Sequence, residues 1–216
     1  MTSVPTLPPP RRSTYRHGDL RRALLEAGIE LARGGGPDAV VLREATRRAG
    51  VAPNAAYRHF ASREALLQAV RAAALSAVAQ AMEAELAALP ANLPPAAFAR
   101  ASVRAVGTGY LKFAQAETGL FRTAFAASGQ LRPGESDLAT AGQSGLNPFG
   151  LLGAALDLLV EAGVMPPDRR PGAELLAWSA VHGLAMLVID GPLCSSVGPH
   201  MQQVGQRLLD MVEKGL

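Results

Sequence analysis

Apolar side chains recur at helical spacing along most of this chain. The first apolar stripe consists of Leu20, Leu24, Ala27 and Leu31. Three glycines and a proline at residues 34–37 end it. Few stretches alternate apolar and polar residues with the period of two that a half-buried strand requires. The pattern therefore predicts an all-α fold, whose first helix stops at the triple glycine.

Two short helical patterns joined by a glycine follow the first helix. The first spans about residues 42–49, and Gly50 is expected to close it in the left-handed conformation. Pro53 is a favoured first-turn residue, so the second helix is expected to start there and to end near Phe60. Two helices joined in this way are typical of a helix-turn-helix, in which the second helix enters the DNA major groove.

A long connector helix is predicted next. Ser62 is expected to cap its start, an apolar stripe continues from Leu67 to Ala81, and Pro90 ends it. Five further helices are predicted at about residues 95–116, 119–127, 148–162, 172–190 and 198–214. We therefore divide the chain into a flexible basic arm (1–14), a helix-turn-helix domain (15–61), the connector helix (62–90) and a C-terminal helical domain (91–216).

The last two predicted helices carry the pattern of a subunit interface. Residues 175–189 are apolar on every face of their helix, so this helix must be covered on every side. In the last helix, apolar residues repeat at alternating spacings of four and three, as in a coiled-coil seam that begins at Val197. Two such helices from each of two subunits would form a four-helix bundle, and the alternative is packing within the monomer only. The predicted interface residues are Leu176, Leu187, Met201, Val204, Leu208 and Met211.

Charge is distributed unequally along the chain. Residues 1–71 hold 12 of the 21 Lys and Arg residues but only 6 of the 18 Asp and Glu residues. The excess of basic residues therefore lies in the part that carries the helix-turn-helix pattern, and the remainder is acidic. This asymmetry favours contact between the first part and a polyanion, whereas the alternative is an ordinary solvated charge run.

The cysteine content and the apolar runs indicate where the protein is located. A single cysteine, Cys194, excludes an internal disulfide and fits a reducing cytosol. Residues 1–19 lack the apolar segment of a signal peptide. The apolar run at residues 175–189 is shorter than the roughly 20 residues that span a bilayer. We therefore expect a cytoplasmic protein with no membrane partner.

No constellation of catalytic or metal-binding residues is visible in the sequence. There is neither a Gly-x-Ser-x-Gly elbow nor a His-Glu-x-x-His motif, and Cys194 has no histidine close in sequence to activate it. The histidines, which are His17, His59, His182 and His200, are scattered. We therefore expect no enzymatic activity, no metal and no cofactor.

Residues 15–70 resemble the DNA-binding domain of the TetR family of transcriptional regulators. The matching runs are YRHGDLRRALLEAGIELARGGG and LREATRRAGVAPNAAYRHFASREALLQAV. The run AWSAVHG at residues 177–183 is similar to the Trp-x-x-x-His-Gly motif of one C-terminal domain type in that family. The resemblance implies a homodimeric, all-α repressor that binds a palindromic operator. It also implies that a small effector, bound in a C-terminal ligand-binding and dimerisation domain, releases the DNA.

The position of each residue in the matching motif assigns the DNA contacts. By motif position the expected contact residues are Arg43, Asn54, Ala55, Tyr57, His59 and Arg63. Arg16 and Arg21, from the basic residues before the motif, are also expected to contact DNA. The sequence also departs from the family's pattern, because Ala52 stands where a serine is usual, and Ala45 and Thr46 stand where a larger aliphatic residue and then alanine are usual. Phosphate affinity is therefore expected to depend more on the basic residues before the motif, which are Arg11, Arg12, Arg16, Arg21 and Arg22.

A ligand site is predicted around the second motif. Trp178 and His182 are four residues apart and share one face of a helix, with Met186 following. Such a face could line an apolar pocket with one polar group, and the alternative is a core histidine bonded to a neighbour. Arg104 could supply a charge for an acidic ligand or lie at the surface. The predicted ligand-contacting residues are Tyr110, Phe113, Phe121, Phe125, Trp178, His182 and Met186.

Three functions are compatible with these patterns. The first is a ligand-responsive, dimeric regulator, most simply a repressor, whose partners are duplex DNA and a small, largely apolar effector. The second is a helical protein that binds small molecules without regulating DNA. The third is a DNA-binding protein whose core holds no ligand. Steep salt dependence of duplex binding separates the first from the second, and a thermal shift with apolar compounds separates the first from the third.

Overall fold

The computed structural model describes residues 17–126, 138–193 and 200–216, with side chains from Leu20 onward. Within these ranges the regular structure consists of α-helices and short 3₁₀ turns, with no strand, so the predicted all-α fold is confirmed. The predicted arm at residues 1–14, together with Arg16, Cys194 and Val197, lies outside the described residues.

The helices follow one another in the order that the periodicity predicts. They are α1 (His17–Gly35), α2 (Leu42–Arg48), α3 (Pro53–Ala56), α4 (Arg63–Ala87), α5 (Pro95–Ala116), α6 (Thr118–Ala124), α7 (Pro148–Glu161), α8 (Ala173–Ile189) and α9 (Met201–Gly215). The largest difference from the predicted bounds concerns α3, which ends before Phe60. The amides of His59 and Phe60 both donate to the carbonyl of Ala56, and this turn closes the helix early.

The connector helix α4 lies at the centre of the fold. Ser62 caps it as predicted, because its hydroxyl oxygen accepts a hydrogen bond from the amide of Ala65 at 3.2 Å. α4 packs against α1, α5, α6 and α7, and its buried stripe includes Leu66, Val70 and Val78. Among the described helices it is the one long and apolar enough to cross a membrane, but half of its apolar window is buried by these neighbours. Its apolar character is therefore accounted for by its place in the core.

Helices α1, α2 and α3 pack around a small apolar core. Gly50 follows α2 with a φ of 67°, the left-handed conformation that the sequence predicts. Ala45 and Thr46, which depart from the family's pattern, are both buried, as is Phe60. The Thr46 hydroxyl donates to the carbonyl of Arg43 at 2.6 Å, so its burial leaves no unsatisfied polar group. Small side chains and one satisfied hydroxyl thus replace the larger aliphatic residue.

Helices α5 to α9 pack against one another and against α4. Two glycines of α5 permit close helix contacts. A Cβ atom at Gly109 would lie 2.6 Å from the carbonyl oxygen of Ala81, and one at Gly107 would lie 2.3 Å from the side chain of Leu209. The buried core continues from α1 through α4 into this bundle. The predicted domain boundaries at residues 61 and 90 are therefore not marked by a break in the core, and they stay predictions.

Candidate nucleic-acid interface and internal cavity

The helix-turn-helix carries polar and aromatic side chains at its surface. Four of the predicted contact residues are exposed, which are Arg21, Arg43, Asn54 and Tyr57. Three others are half-buried, which are Ala55, His59 and Arg63. The Tyr57 ring is 58% exposed, which is unusual for a side chain of this size. Ala52 occupies the N-cap of α3, where it offers no side-chain acceptor. The backbone N–H groups at the start of α3 are therefore not capped by that side chain.

Two of the predicted contact residues also hold the N-terminal helices together. Arg63 donates from Nε to the carbonyl of Val40 and from Nη2 to the carbonyl of Pro37, both at 2.8 Å. The guanidinium carbon of Arg21 lies 5.2 Å from the centroid of the Phe60 ring, within the range of a cation–π interaction. Replacing either arginine would therefore disturb packing as well as charge.

The charge on α2 is partly neutralised within the helix. The Glu44 carboxylate accepts hydrogen bonds from Arg47 at 2.7 and 2.8 Å and from Arg48 at 3.2 Å. These bonds lower the pKa of Glu44 to about 2, so it is ionised at neutral pH. Arg43, at the start of the same helix, carries a further positive charge at the surface.

A chain of hydrogen bonds links α5 to α8. The indole Nε1 of Trp178 donates to the Tyr110 hydroxyl oxygen at 3.1 Å, and this hydroxyl lies 2.7 Å from Nδ1 of His182. Burial raises the pKa of Tyr110 and lowers the pKa of His182, so both groups are neutral at pH 7. When the ring proton of His182 lies on Nε2, the Tyr110 hydroxyl donates to Nδ1 while it accepts from Trp178; in the other tautomer Nδ1 donates to the hydroxyl. His182 is thus a histidine whose ring bonds to a neighbour, Tyr110, as the alternative to a ligand-contacting role predicts.

Aromatic side chains surround these hydrogen bonds. The ring centroids of Tyr110 and Phe121 are 5.2 Å apart in an edge-on arrangement, and those of Phe121 and Phe125 are 4.9 Å apart. Phe125 also lies 5.1 Å from the His182 ring and 6.1 Å from the Trp178 ring. Spacings in this range are those of favourable aromatic pairs. The cluster joins α5, α6 and α8 into one rigid wall.

A cavity of about 360 Å³ lies beside this aromatic wall, in the volume range of small-molecule sites. Its lining comes from α4 to α9 and includes Gln68, Arg71, Leu75, Met82, Val103, Tyr110, Phe125, Asn147, Phe149, Leu152, Trp178, Leu209 and Val212. Of its polar members, Gln68 and Arg71 lie in the first half of α4, whereas Thr140 and Asn147 lie before α7; the lining further along α4 is apolar. The cavity can therefore hold a largely apolar molecule.

The predicted ligand residues fall into two layers. Tyr110, Phe125 and Trp178 line the cavity. The other four, which are Phe113, Phe121, His182 and Met186, are not among its lining residues. Phe121 is fully buried, and His182 lies behind Tyr110 and is bonded to it. Phe121 and His182 contact the lining residues Tyr110 and Phe125 from behind, and a ligand contact of all four residues stays a prediction.

The contribution of α4 to the cavity was not predicted from the sequence, where Arg104 was the arginine considered for an acidic ligand. Arg71 is buried and lines the cavity, and its Nε donates to the carbonyl of Ala124, the last residue of α6, at 3.0 Å. Arg104 instead lies beside α9, where it pairs with Asp210 and donates to Gln206 at 3.0 Å. The missed signal was a single arginine within the apolar stripe of α4, a position where charge is rarely buried.

Helix α6 reaches from the cavity to the helix-turn-helix. Phe125 directly follows it in the cavity wall, while Gly119 in its first turn lies against α1. A Cβ atom at Gly119 would lie 2.3 Å from the carbonyl oxygen of Ala32 and 2.4 Å from that of Arg33. Arg33 also donates to Glu117 at 2.8 Å. The backbones of α6 and α1 are therefore in close contact at Gly119.

Helices α8 and α9 leave an apolar surface uncovered. Leu176 is 67% exposed, Met211 is 60% exposed, and Leu175 and Leu187 are also exposed. Val204 and Leu208 of the predicted interface are half-buried. Met201 requires a correction, because it is buried within the protomer and has no surface left for a partner. The inward face of α9 consists of Met201, Gly205 and Leu209, and the predicted seam residues Val204 and Leu208 lie beside this face.

Two family models match this sequence. One, described as tetracyclin repressor-like, C-terminal domain, matches residues 103–212, just over half of the chain. The other, described as bacterial regulatory proteins, tetR family, matches residues 24–70. No functionally curated protein is significantly similar.

Solved structures share the fold over nearly the whole length. A protein of unknown function from Rhodococcus sp. RHA1 is 26% identical, with a TM-score of 0.72 over 95% of this chain and 99% of that one. The TetR family transcriptional regulator PfmR from Thermus thermophilus is 19% identical, with a TM-score of 0.56 over 89% of this chain and 98% of that one. Because PfmR is only 19% identical, its likeness to this chain concerns the fold alone.

Proposed function

Because this chain belongs to the TetR family of transcriptional regulators, we propose that it is a homodimeric repressor that a small apolar effector releases from DNA. The observation that carries the proposal is the position of α6. Its end lies at the cavity wall, and Gly119 at its start touches α1 of the helix-turn-helix. A ligand that moves α6 thus has a direct route to the DNA-binding helices.

The DNA-reading element of this proposal is α3 with the turn that follows it. Asn54 and Ala55 are small enough to approach base edges in the major groove. Tyr57 and His59 carry donors for phosphate oxygens, and Arg43 at the start of α2 adds a charge near the backbone. The exposure of Tyr57 supports this assignment, since more than half of its surface is open to a partner. Arg16, Arg21 and Arg63 are proposed as further phosphate contacts.

The proposed dimer forms through α8 and α9. Leu176 and Leu187 lie at opposite ends of an exposed stripe of α8, with the small residues Ser179 and Gly183 between them. A Cβ atom at Gly183 would meet nothing within 4 Å, so the stripe is open to a close helix partner. Exposed leucines around small residues suit the packing of α8 and α9 against their copies in a four-helix bundle.

The proposed release of DNA is a shift between two populations. One state holds the two recognition helices about one helical turn of DNA apart, roughly 34–36 Å. The effector binds the other state more tightly and so draws the dimer towards it. A ligand can shift the equilibrium only by its difference in affinity for the two states, roughly 1.4 kcal/mol for each tenfold change. We propose a cytoplasmic location, and no catalytic step, metal or cofactor enters this scheme.

Substitution of Tyr57 tests the DNA-binding part of the proposal. The full-length protein first selects an operator from random duplexes, and affinities are then measured by fluorescence anisotropy. Tyr57→Ala is expected to weaken operator binding at least about tenfold, roughly 1.4 kcal/mol. Phe98→Ala is the matched control, because Phe98 is an exposed aromatic on α5, outside the helix-turn-helix. Equal affinities of both variants and the wild type would refute the assignment of α3.

The same titration distinguishes the rival function. If the wild-type protein selects no duplex and binds none at low salt, while apolar compounds still raise its melting temperature, it is a helical small-molecule-binding protein without a DNA role. If it binds duplex DNA and no apolar compound shifts its melting, the effector part of the proposal fails and the DNA-binding part stands.

A further inference from the structure

Among the described residues that line the cavity, one side chain is charged, and the proposed function leaves it without a role. Arg71 lies on α4 in the cavity wall and is almost completely buried, with 7% of its surface exposed. A guanidinium stays protonated in proteins, so the positive charge persists inside the cavity. Burial lowers the pKa of Arg71, because the low-dielectric surroundings disfavour its charged form. A guanidinium in the cavity wall offers charged N–H donors to an anion that enters the cavity.

The distribution of polarity along the cavity adds a direction. The α4 part of the wall runs from Gln68 to Met82, a length of about 21 Å at the rise of an α-helix. Gln68 and Arg71 lie within one turn of each other at one end. From Leu75 to Met82 the lining on this helix is apolar, and Leu209 extends the apolar lining from α9. Thr140 and Asn147, outside α4, add polar side chains that carry no charge. A ligand with one charged end and an apolar body matches this gradient.

We infer that the effector is an apolar carboxylic acid, whose carboxylate binds Arg71 while its hydrocarbon part extends along α4 towards Met82. The inference rests on the proposed function in taking this cavity as the effector site. A guanidinium suits a carboxylate because its N–H donors match both carboxylate oxygens. Gln68, on the same face of α4, can donate a further hydrogen bond through its side-chain amide.

The contact between Arg71 and α6 explains how such a ligand would act on DNA binding. The Nε of Arg71 holds the carbonyl of Ala124 at the end of α6. A carboxylate competes for this guanidinium, because it carries a full negative charge and two oxygens that can accept from the guanidinium together, whereas the Ala124 carbonyl is neutral. The end of α6 would lose a restraint when the acid binds. Gly119, at the start of the same short helix, would transmit the displacement to Ala32 of α1.

The test compares an acid with an ester of the same chain length. Trp178 is the chain's single tryptophan and lines the cavity, so its fluorescence reports binding without DNA. Decanoate and methyl decanoate are titrated into the full-length protein below their aggregation concentrations, with hexanoate to tetradecanoate as a length series. Decanoate is expected to bind at least about tenfold more tightly than its ester. Equal affinities, or no binding of any acid in the series, would overturn the inference.

Two variants assign the preference to a residue. Arg71→Met is expected to weaken decanoate binding at least about tenfold and to change the affinity for the ester by less than about twofold. Arg104→Met is the matched control, because Arg104 is a partly buried arginine that pairs with α9 and is not a lining residue. It is expected to keep the full preference for the acid. A preference that survives Arg71→Met would overturn the inference, as would its loss in Arg104→Met alone.

A measurement on the wild-type protein decides the question if Arg71→Met does not fold. The carboxyl carbon of decanoate is labelled with ¹³C, and its NMR shift is followed from pH 7 to pH 5. An adjacent cation keeps the bound acid ionised to lower pH than the free acid, whereas burial in an apolar site raises its pKa. A raised pKa of the bound acid would overturn the inference. The ligand measurements contain no DNA. If they fail, the operator-binding test with Tyr57→Ala is unaffected, and if the operator-binding test fails, the ligand measurements still stand.

Discussion

Substituting Gly119 by alanine tests the junction between α6 and α1. The added Cβ atom would lie 2.3 Å from the carbonyl oxygen of Ala32, whereas real Cβ atoms essentially never approach closer than 3.0 Å. The two backbones must therefore separate by at least about 0.7 Å, the difference between these distances. Overpacking of this kind costs about 1–3 kcal/mol. Alanine also restricts the unfolded chain, which returns about 0.4–1 kcal/mol.

The net destabilisation by Gly119→Ala lies between about 0 and 2.6 kcal/mol, and the middle of this range, about 1.3 kcal/mol, lowers the melting temperature by roughly 3–5 °C for a chain of this length. Operator affinity is expected to fall as well, because the junction fixes the helix-turn-helix relative to the cavity. Differential scanning calorimetry and fluorescence anisotropy measure the two effects.

Gly34→Ala is the matched control for this substitution. Gly34 is also in α1, but a Cβ atom there would meet nothing within 4 Å. This variant is expected to keep wild-type operator affinity and to gain up to about 1 kcal/mol of stability from helix propensity. If Gly119→Ala behaves like Gly34→Ala in both assays, α6 does not transmit movement to α1.

Three further predictions concern the aromatic wall and the apolar surface. Tyr110→Phe removes the hydroxyl that bonds Trp178 and His182. It is expected to lower the free energy of unfolding, measured by urea melts, by about 1–3 kcal/mol. An unchanged free energy of unfolding would contradict this. Because burial lowers the pKa of His182 below its usual 6.5, the unfolded chain binds more protons there. The wild type should therefore lose more stability than His182→Gln as the pH falls from about 7.5 through 6.5, and parallel curves would contradict this. Leu176→Glu is expected to weaken the dimer at least about tenfold in analytical ultracentrifugation, and Leu138→Glu, at a more exposed leucine outside α8 and α9, is expected to leave it intact.

The helices were predictable from the sequence because their signals are local. Spacing of apolar residues, the proline at Pro53, the cap at Ser62 and the left-handed Gly50 each act within a few residues. These local signals predicted the order of the helices and, apart from the end of α3, bounds close to those observed. Tyr110, Phe125 and Trp178 were predicted in the cavity wall because aromatic residues on apolar helices usually face the interior.

The remaining features depend on how the helices cross, which local spacing does not determine. The α9 stripe through Met201 and Leu209 and the predicted seam through Val204 and Leu208 are adjacent on one helix. Only packing against α5, where Gly107 admits Leu209, decides which of them faces inward. Arg71 was missed for a similar reason, since burial of an arginine cannot be read from its own helix.

A salt titration of operator binding tests the central claim, that this chain is a dimeric DNA-binding regulator, most directly. Anisotropy of the selected operator is measured with the wild-type protein from low to physiological salt, and stoichiometry is determined at saturation. The account predicts one dimer per palindromic site, and an affinity whose logarithm falls linearly with the logarithm of salt concentration as phosphates are neutralised. Binding that is insensitive to salt, or the absence of duplex binding at low salt, would contradict it.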